Sequence, residues 1–353
     1  METTRVPASA TATKQKLLEY IKRVSAENSE DILYEFEVPS ALIDKETVLA
    51  FSALYCSLDV AVTDELCSGD DAGKNKAFVR KCALLNDTGL VFGFVFDAVR
   101  AQELLQGVRG DPGLKSAGGS KNLSQKAPLS IKKIRALVDF MLEQYPNHVQ
   151  LECDGLRPSA VLSTQDIKTV RAFFYAVETF YTYGRAVPWF LTVLEPLKIR
   201  PSVFLSDFAE WQRCNNCGVG EGSSSAVGVC AYTAQRSGEK VASRDAAGSG
   251  FSAENAPHTE IEKMLLNFVK LKYEEKKLPY VYPAAEDMIR LHGAFSRAAA
   301  EQTETVLDLS YTPDDLFSPY AQDLRLFASE VCMESCTVKV FSGREGPDFI
   351  YVN

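Results

Sequence analysis

The chain has 353 residues, a formal net charge of −9, 46% hydrophobic residues and nine cysteines. That length can bury two domain-sized cores, and the acidic balance argues against a generally basic protein that coats nucleic acid. No apolar run reaches membrane-spanning length.

Residues 1–30 read as a flexible N-terminal extension. They carry Lys14, Lys16, Lys22 and Arg23 where a signal peptide has an unbroken apolar core, so an intracellular location is expected. The cysteines, odd in number and scattered, read as reduced core residues rather than a disulfide framework.

Four strand–helix–strand units follow in chain order, with helices starting near Ser40, Leu129, Pro201 and Ser318. The first has a strand at Ile32 to Pro39, a helix over about Ala41 to Tyr55, and an alternating strand from Leu58. In the second, Lys126 to Pro128 leads into a helix striped by Ile131, Ile134, Leu137, Val138 and Met141, and Val149, Leu151 and Cys153 alternate after it.

The third runs from a strand at Trp189 to Pro196 into a helix from Pro201. Its second strand is expected beyond a Gly/Ser/Ala-rich insertion spanning Cys214 to His258. An extra helical stretch is expected around Ala285 to Glu301. The fourth unit has a strand at Thr305 to Pro313 and a helix that Ser318 can cap. A closing hairpin follows, of Thr337 to Phe341 and Asp348 to Val352.

The basic side chains that stand out are Lys132, Lys133 and Arg135 opposite the stripe of the second helix, together with Arg200, Arg213 and Arg325. Taken singly, each also fits a solvated helix surface. Cys214 and Cys217, with Cys230 and His258 further on, could supply four zinc ligands, but the long Ser/Gly stretch between them does not hold ligands in register, and a flexible, surface-exposed loop is the reading preferred. Of the three histidines, His148 reads as a turn residue, and none sits beside a nucleophile signature. No Walker loop or dinucleotide fingerprint is present, so no cofactor and no catalysis are expected.

Four such units grouped in pairs resemble the sliding-clamp superfamily of the PCNA type. The segment Asp323 to Asn353, with Phe-Ala-Ser-Glu at Phe327 to Glu330 and Gly-Arg-Glu-Gly-Pro at Gly343 to Pro347, is most similar to a subunit of the heterotrimeric nine-one-one checkpoint clamp. Ala77 to Leu104 resembles the paired strands and small helix that close a clamp's first unit. Leu191 to Trp211 resembles the opening of a second clamp domain.

The resemblance implies a two-domain α+β DNA-clamp fold, its helices lining one face of curved antiparallel sheets. The implied domains are residues 31–177 and 190–353, joined by a connector at 178–189 and carrying the 214–258 insertion. It further implies a non-catalytic nuclear ring subunit acting in DNA damage checkpoint signalling and repair. The implied partners are two other clamp subunits, a clamp loader, double-stranded DNA, and checkpoint and repair proteins; no membrane is involved.

On that reading Lys132, Lys133, Arg135, Arg200, Arg213 and Arg325, with Lys45, would touch phosphates. Phe180, Tyr181, Tyr183 and Trp189 would form an aromatic docking surface, unless they are core. An alternative comes from Asp154 to Leu162, which faintly resembles a kinase catalytic loop. Gly155 or Leu156 and Ala160 stand at its key positions and no Gly-rich phosphate loop precedes it, which leaves an inactive kinase-like protein-interaction module.

Overall fold

A computed structural model describes residues 2–27, 32–68, 76–106, 127–215 and 253–352. The chain divides into two compact units, Met1–Phe174 and Tyr175–Asn353.

The first unit is built on five parallel strands whose order across the sheet is their order in the chain: β1 (Glu2–Arg5), β2 (Ile32–Pro39), β3 (Cys56–Ala61), β4 (Val91–Asp97) and β5 (His148–Glu152). The helices between them are α1 (Lys14–Glu27), α2 (Lys45–Phe51), α3 (Thr63–Ser68), α4 (Lys76–Asp87), α5 (Ala98–Gln106) and α6 (Ile131–Leu142), with α7 (Thr164–Val177) after β5. Local chemistry sets several of their starts. Asp44 accepts from the Glu46 and Thr47 amides at the head of α2, while Thr47 Oγ1 accepts from the Asp44 amide, and Ser130 Oγ accepts from Lys133 N at the head of α6.

Parallel neighbours require crossovers, and right-handed crossovers between sequential strands bring every connecting helix to one side of the sheet. The buried side chains bear this out. Phe36, Val38, Leu58, Val60, Phe92, Phe94, Phe96, Val149 and Leu151 share one strand phase and are all buried. Tyr20 of α1 and Phe51 of α2 pack their rings on Phe36, Phe78 of α4 packs on Phe94, and Phe174 of α7 packs on Phe96. The alternate phase carries mainly polar residues.

The second unit begins with a π-helical turn over Glu178–Tyr183, then α8 (Phe190–Leu194), α9 (Pro201–Cys214), α10 (His258–Glu275) and α11 (Tyr282–Glu301). Phe180, Trp189, Phe190, Phe204, Phe208, Trp211 and Phe268 form a connected ring cluster at its centre. An antiparallel meander of β6 (Thr305–Leu309), β7 (Cys336–Ser342) and β8 (Pro347–Tyr351) completes it, with α12 (Pro313–Leu316) and α13 (Leu324–Glu330) in the β6–β7 connection.

The clamp fold is therefore corrected. A five-stranded parallel sheet and a separate three-stranded antiparallel sheet stand where curved antiparallel clamp sheets were expected. Strand–helix–strand order reads the same whether the strands finally run parallel or antiparallel, and a helix long enough to cross over makes the parallel solution available.

Four local expectations change with it. Trp189 to Pro196, read as a strand, forms α8 and a 3₁₀ turn over Glu195–Leu197, because a short apolar run has no period that separates strand from buried helix. Ala77 to Leu104, read as paired strands with a helix, is α4, β4 and α5. Beyond the insertion, residues 253–301 hold α10 and α11, and no strand precedes β6 there. Residues 1–30, expected as an extension, contribute β1 and α1.

Candidate functional site

The polar phase of the parallel sheet places chemically distinct side chains in one lateral row. Glu37 is the register partner of Asp59, Asp59 of Gly93, and Gly93 of His148. Laterally paired residues share a sheet face, so Glu37, Asp59 and His148 stand side by side across four strands. Arg5 of β1 reaches the row from the sheet edge, its Nη2 lying 3.4 Å from Glu37 Oε2.

His148 Nε2 and Asp59 Oδ1 are 2.6 Å apart, each side chain 30% exposed. The two residues sit on strands that are not neighbours, and Gly93 makes the contact possible. A Cβ at that position would fall 2.1 Å from His148 Nε2, inside the imidazole. A glycine interrupting the aromatic run Phe92-Gly93-Phe94 thus holds open the space in which the ring lies across β4. The short contact assigns Nε2–H as donor to the carboxylate, which fixes the ring's orientation. Below the dyad, Gln150 Nε2 donates to Glu152 Oε1 at 2.8 Å. Glu35 and Glu152 add further carboxylates in the same strand phase. Asp97, also in phase, is occupied with the start of α5, where its Oδ1 accepts from the Val99 and Arg100 amides.

This row can hold hydrogen-bond donors and cationic groups, and its imidazole can carry a proton. Among the described residues, no group of three His, Cys, Asp or Glu side chains could hold a metal ion.

The residues singled out from sequence lie elsewhere. Lys45 is exposed on the first turn of α2 and Lys132 on α6. Lys133 is half-buried, with Nζ 3.3 Å from Ala127 O, and Arg135 is half-buried with its Nε buried and unpartnered. Arg200 is exposed at the N-cap of α9, Arg213 is tied to Glu210 with Nε 2.9 Å from Oε2, and Arg325 donates to the Pro196 carbonyl. The seven cations thus occupy two helices of the first unit and, in the second, α9 with its N-cap and α13, and three of them, Lys133, Arg213 and Arg325, are engaged in hydrogen bonds.

Phe180, Tyr181 and Trp189 are fully buried. Tyr183 is half-buried, and burial raises its hydroxyl above the ordinary value. The core alternative for this segment is the one that the packing realises, and no aromatic docking surface forms there. Cys214 is exposed at the end of α9, Cys217 and Cys230 lie outside the described residues, and His258 is buried in a different network. Asp154 to Leu162 is a loop closed by a Ser159–Leu162 bridge, with Arg171 3.6 Å from Asp154.

That network fills the junction of α10 and α11. Arg297 Nη1 lies 2.6 Å from Glu262 Oε2 and 3.0 Å from His258 Nδ1, and His258 Nε2 faces the Gly184 carbonyl at 3.4 Å. Gly293 makes room for it, since a Cβ there would stand 2.0 Å from Glu262 Oε2. Burial, then the Arg185 charge, pushes the His258 imidazole down to about 4, which suits a neutral ring accepting from a guanidinium. Burial also raises the Glu262 carboxyl, with Arg297 opposing it.

A folded-state imidazole depressed in this way leaves the unfolded chain to bind the proton first. Stability is therefore lost as pH falls from the ordinary histidine value toward 4, by about 3 kcal/mol for this residue. Buried His292, also pushed down to about 4, acts in the same direction, while Asp287, pushed up to about 6 by burial, opposes both. Urea midpoints should therefore fall between neutral pH and about pH 4.5, and fall less in His258→Gln. An equal fall in the variant would remove His258 as a cause.

No protein-family model, curated protein or solved structure matches this chain.

Proposed function

We propose that the chain works by binding rather than by turnover, and that the polar face of its parallel sheet takes a partner carrying cationic groups, such as an extended Lys/Arg-rich segment. The observation that carries this reading is the row Glu37, Asp59, His148 laid across four strands, with Glu35 and Glu152 in the same phase and Arg5 already turned toward Glu37. Carboxylates outnumber cations on that face, and the chain as a whole is acidic, so a basic partner is drawn to it at long range and paired at short range. The strands fix the spacing of these groups in advance, which limits the ordering cost of binding.

Encirclement of DNA rests on paired antiparallel sheets that are absent from the described residues, and it is not carried forward. No observation favours the kinase-like module.

The test is a titration of the full chain with a fluorescently labelled Lys/Ser peptide, followed by anisotropy at low and at physiological salt. The triple variant Glu35→Gln, Glu37→Gln, Glu152→Gln is expected to weaken binding about tenfold, equivalent to about 1.4 kcal/mol. The exposed control set Glu19→Gln, Glu103→Gln, Glu274→Gln is expected to change it about twofold or less. Equal losses in both sets would mean diffuse attraction to an acidic protein and would sink the reading.

A further inference from the structure

We propose that His148 gates the cationic partner's access to Asp59, so that the sheet face binds such a partner best while the imidazole is neutral. This rests on the binding reading above.

The gate is geometric. His148 and Asp59 are 89 residues apart in the chain and on strands separated by β4, yet Nε2 and Oδ1 come within 2.6 Å because Gly93 leaves its side-chain volume empty. The His148 ring makes no other hydrogen bond or ion pair among the described residues, so the carboxylate is its one polar anchor. With a neutral ring, Nε2–H donates one hydrogen bond and Asp59 keeps its negative charge for an incoming ammonium or guanidinium. When Nδ1 takes up a proton, the pair becomes an imidazolium–carboxylate ion pair with no net charge. A cationic partner then meets a like charge at the centre of the row.

The surrounding groups leave this exchange visible. β3 contributes Asp59 itself. β2 contributes Glu37, partly compensated by Arg5 from β1, and Glu35 one step away. β4 presents only the Gly93 backbone at this level, Asp97 being held at the start of α5. On β5, Gln150 is bonded to Glu152. No lysine or second histidine stands in the row to mask a charge change at His148.

The other two histidines of the chain, His258 and His292, are pushed down to about 4 by burial and keep their neutral state well above that. Asp287, pushed up to about 6, changes charge in the same span but belongs to the second unit, so a binding change between about pH 7.5 and about pH 5.5 is assigned to His148 only by its substitution.

The labelled Lys/Ser peptide is titrated into the full chain across that range. Wild-type affinity is expected to fall about fivefold on acidification, the size of one exposed charge contact. His148→Gln should bind at both ends of the range with no such fall. Gly93→Ala retains the histidine but drives its ring off Asp59; once far-UV circular dichroism shows it folded, it should lose the fall as well. A His148→Gln or folded Gly93→Ala protein that keeps the wild-type fall overturns the gate, as does wild-type binding with no pH response. Those results leave the partner assignment standing. Absence of binding at every pH removes the partner and its gate together.

Discussion

Phe180→Ala is expected to destabilise the second unit by about 3–5 kcal/mol, read as a lower urea midpoint. The Phe180 ring is fully buried and lies 5.1 Å from the centroids of Phe204 and Phe208, 5.5 Å from Phe190 and 5.7 Å from Trp189. Three of these four contacts are edge-to-face, a geometry that adds to area burial, and truncation leaves a cavity that four large neighbours cannot all move to fill. A docking-surface aromatic would cost within about 0.5 kcal/mol on truncation, so one measurement separates the two roles. Should the alanine variant fail to fold, Phe180→Leu keeps most of the volume and is expected to cost about 1–2 kcal/mol. A leucine cost near zero would place the ring outside the core.

The second large effect is expected at Arg297. Arg297→Met strips Glu262 of its cation and His258 of its donor at a site where the guanidinium is 3% exposed and Glu262 12%. Breaking a buried pair from one side leaves an uncompensated carboxylate, and the cost should be about 3–5 kcal/mol in denaturant unfolding. Adding Glu262→Gln removes that stranded charge, so the double variant should regain part of the loss. The cycle then isolates the pair from simple loss of packing. If the double variant is no more stable than the single one, the guanidinium acts through its bulk and not its charge.

Several elements were legible in the sequence because their signals are local. The Ile32–Pro39 strand, the closing hairpin and the long helix over Tyr282–Glu301 carry periods or turn residues within one short window. The direction of the sheet was not legible, since nothing in Phe36 or Val38 records whether Leu58 and Val60 run parallel to them. Trp189 to Leu194 was misread because six consecutive apolar or small residues satisfy either period. The dyad was hidden for a different reason. Asp59 and His148 meet only through the register of three strands, and the one sequence sign of it is Gly93 breaking an otherwise aromatic strand, with acidic and polar residues held in a single phase on either side.

The strand order of the first unit also bears on how the chain is made. Every strand pairs with the strand synthesised immediately before it, from β1 through β5, and the β6–β8 meander obeys the same rule. A chain leaving the ribosome therefore never has to hold a strand open beyond the translation of the next strand in its sheet. Each pairing closes only the loop just completed, which keeps the entropic cost of every step small. Nascent chains ending after β3 already contain all the partners of β2. Assembly can thus follow the direction of translation, each new strand being added at one edge while the opposite edge, β1 in the first sheet, stays as it was formed.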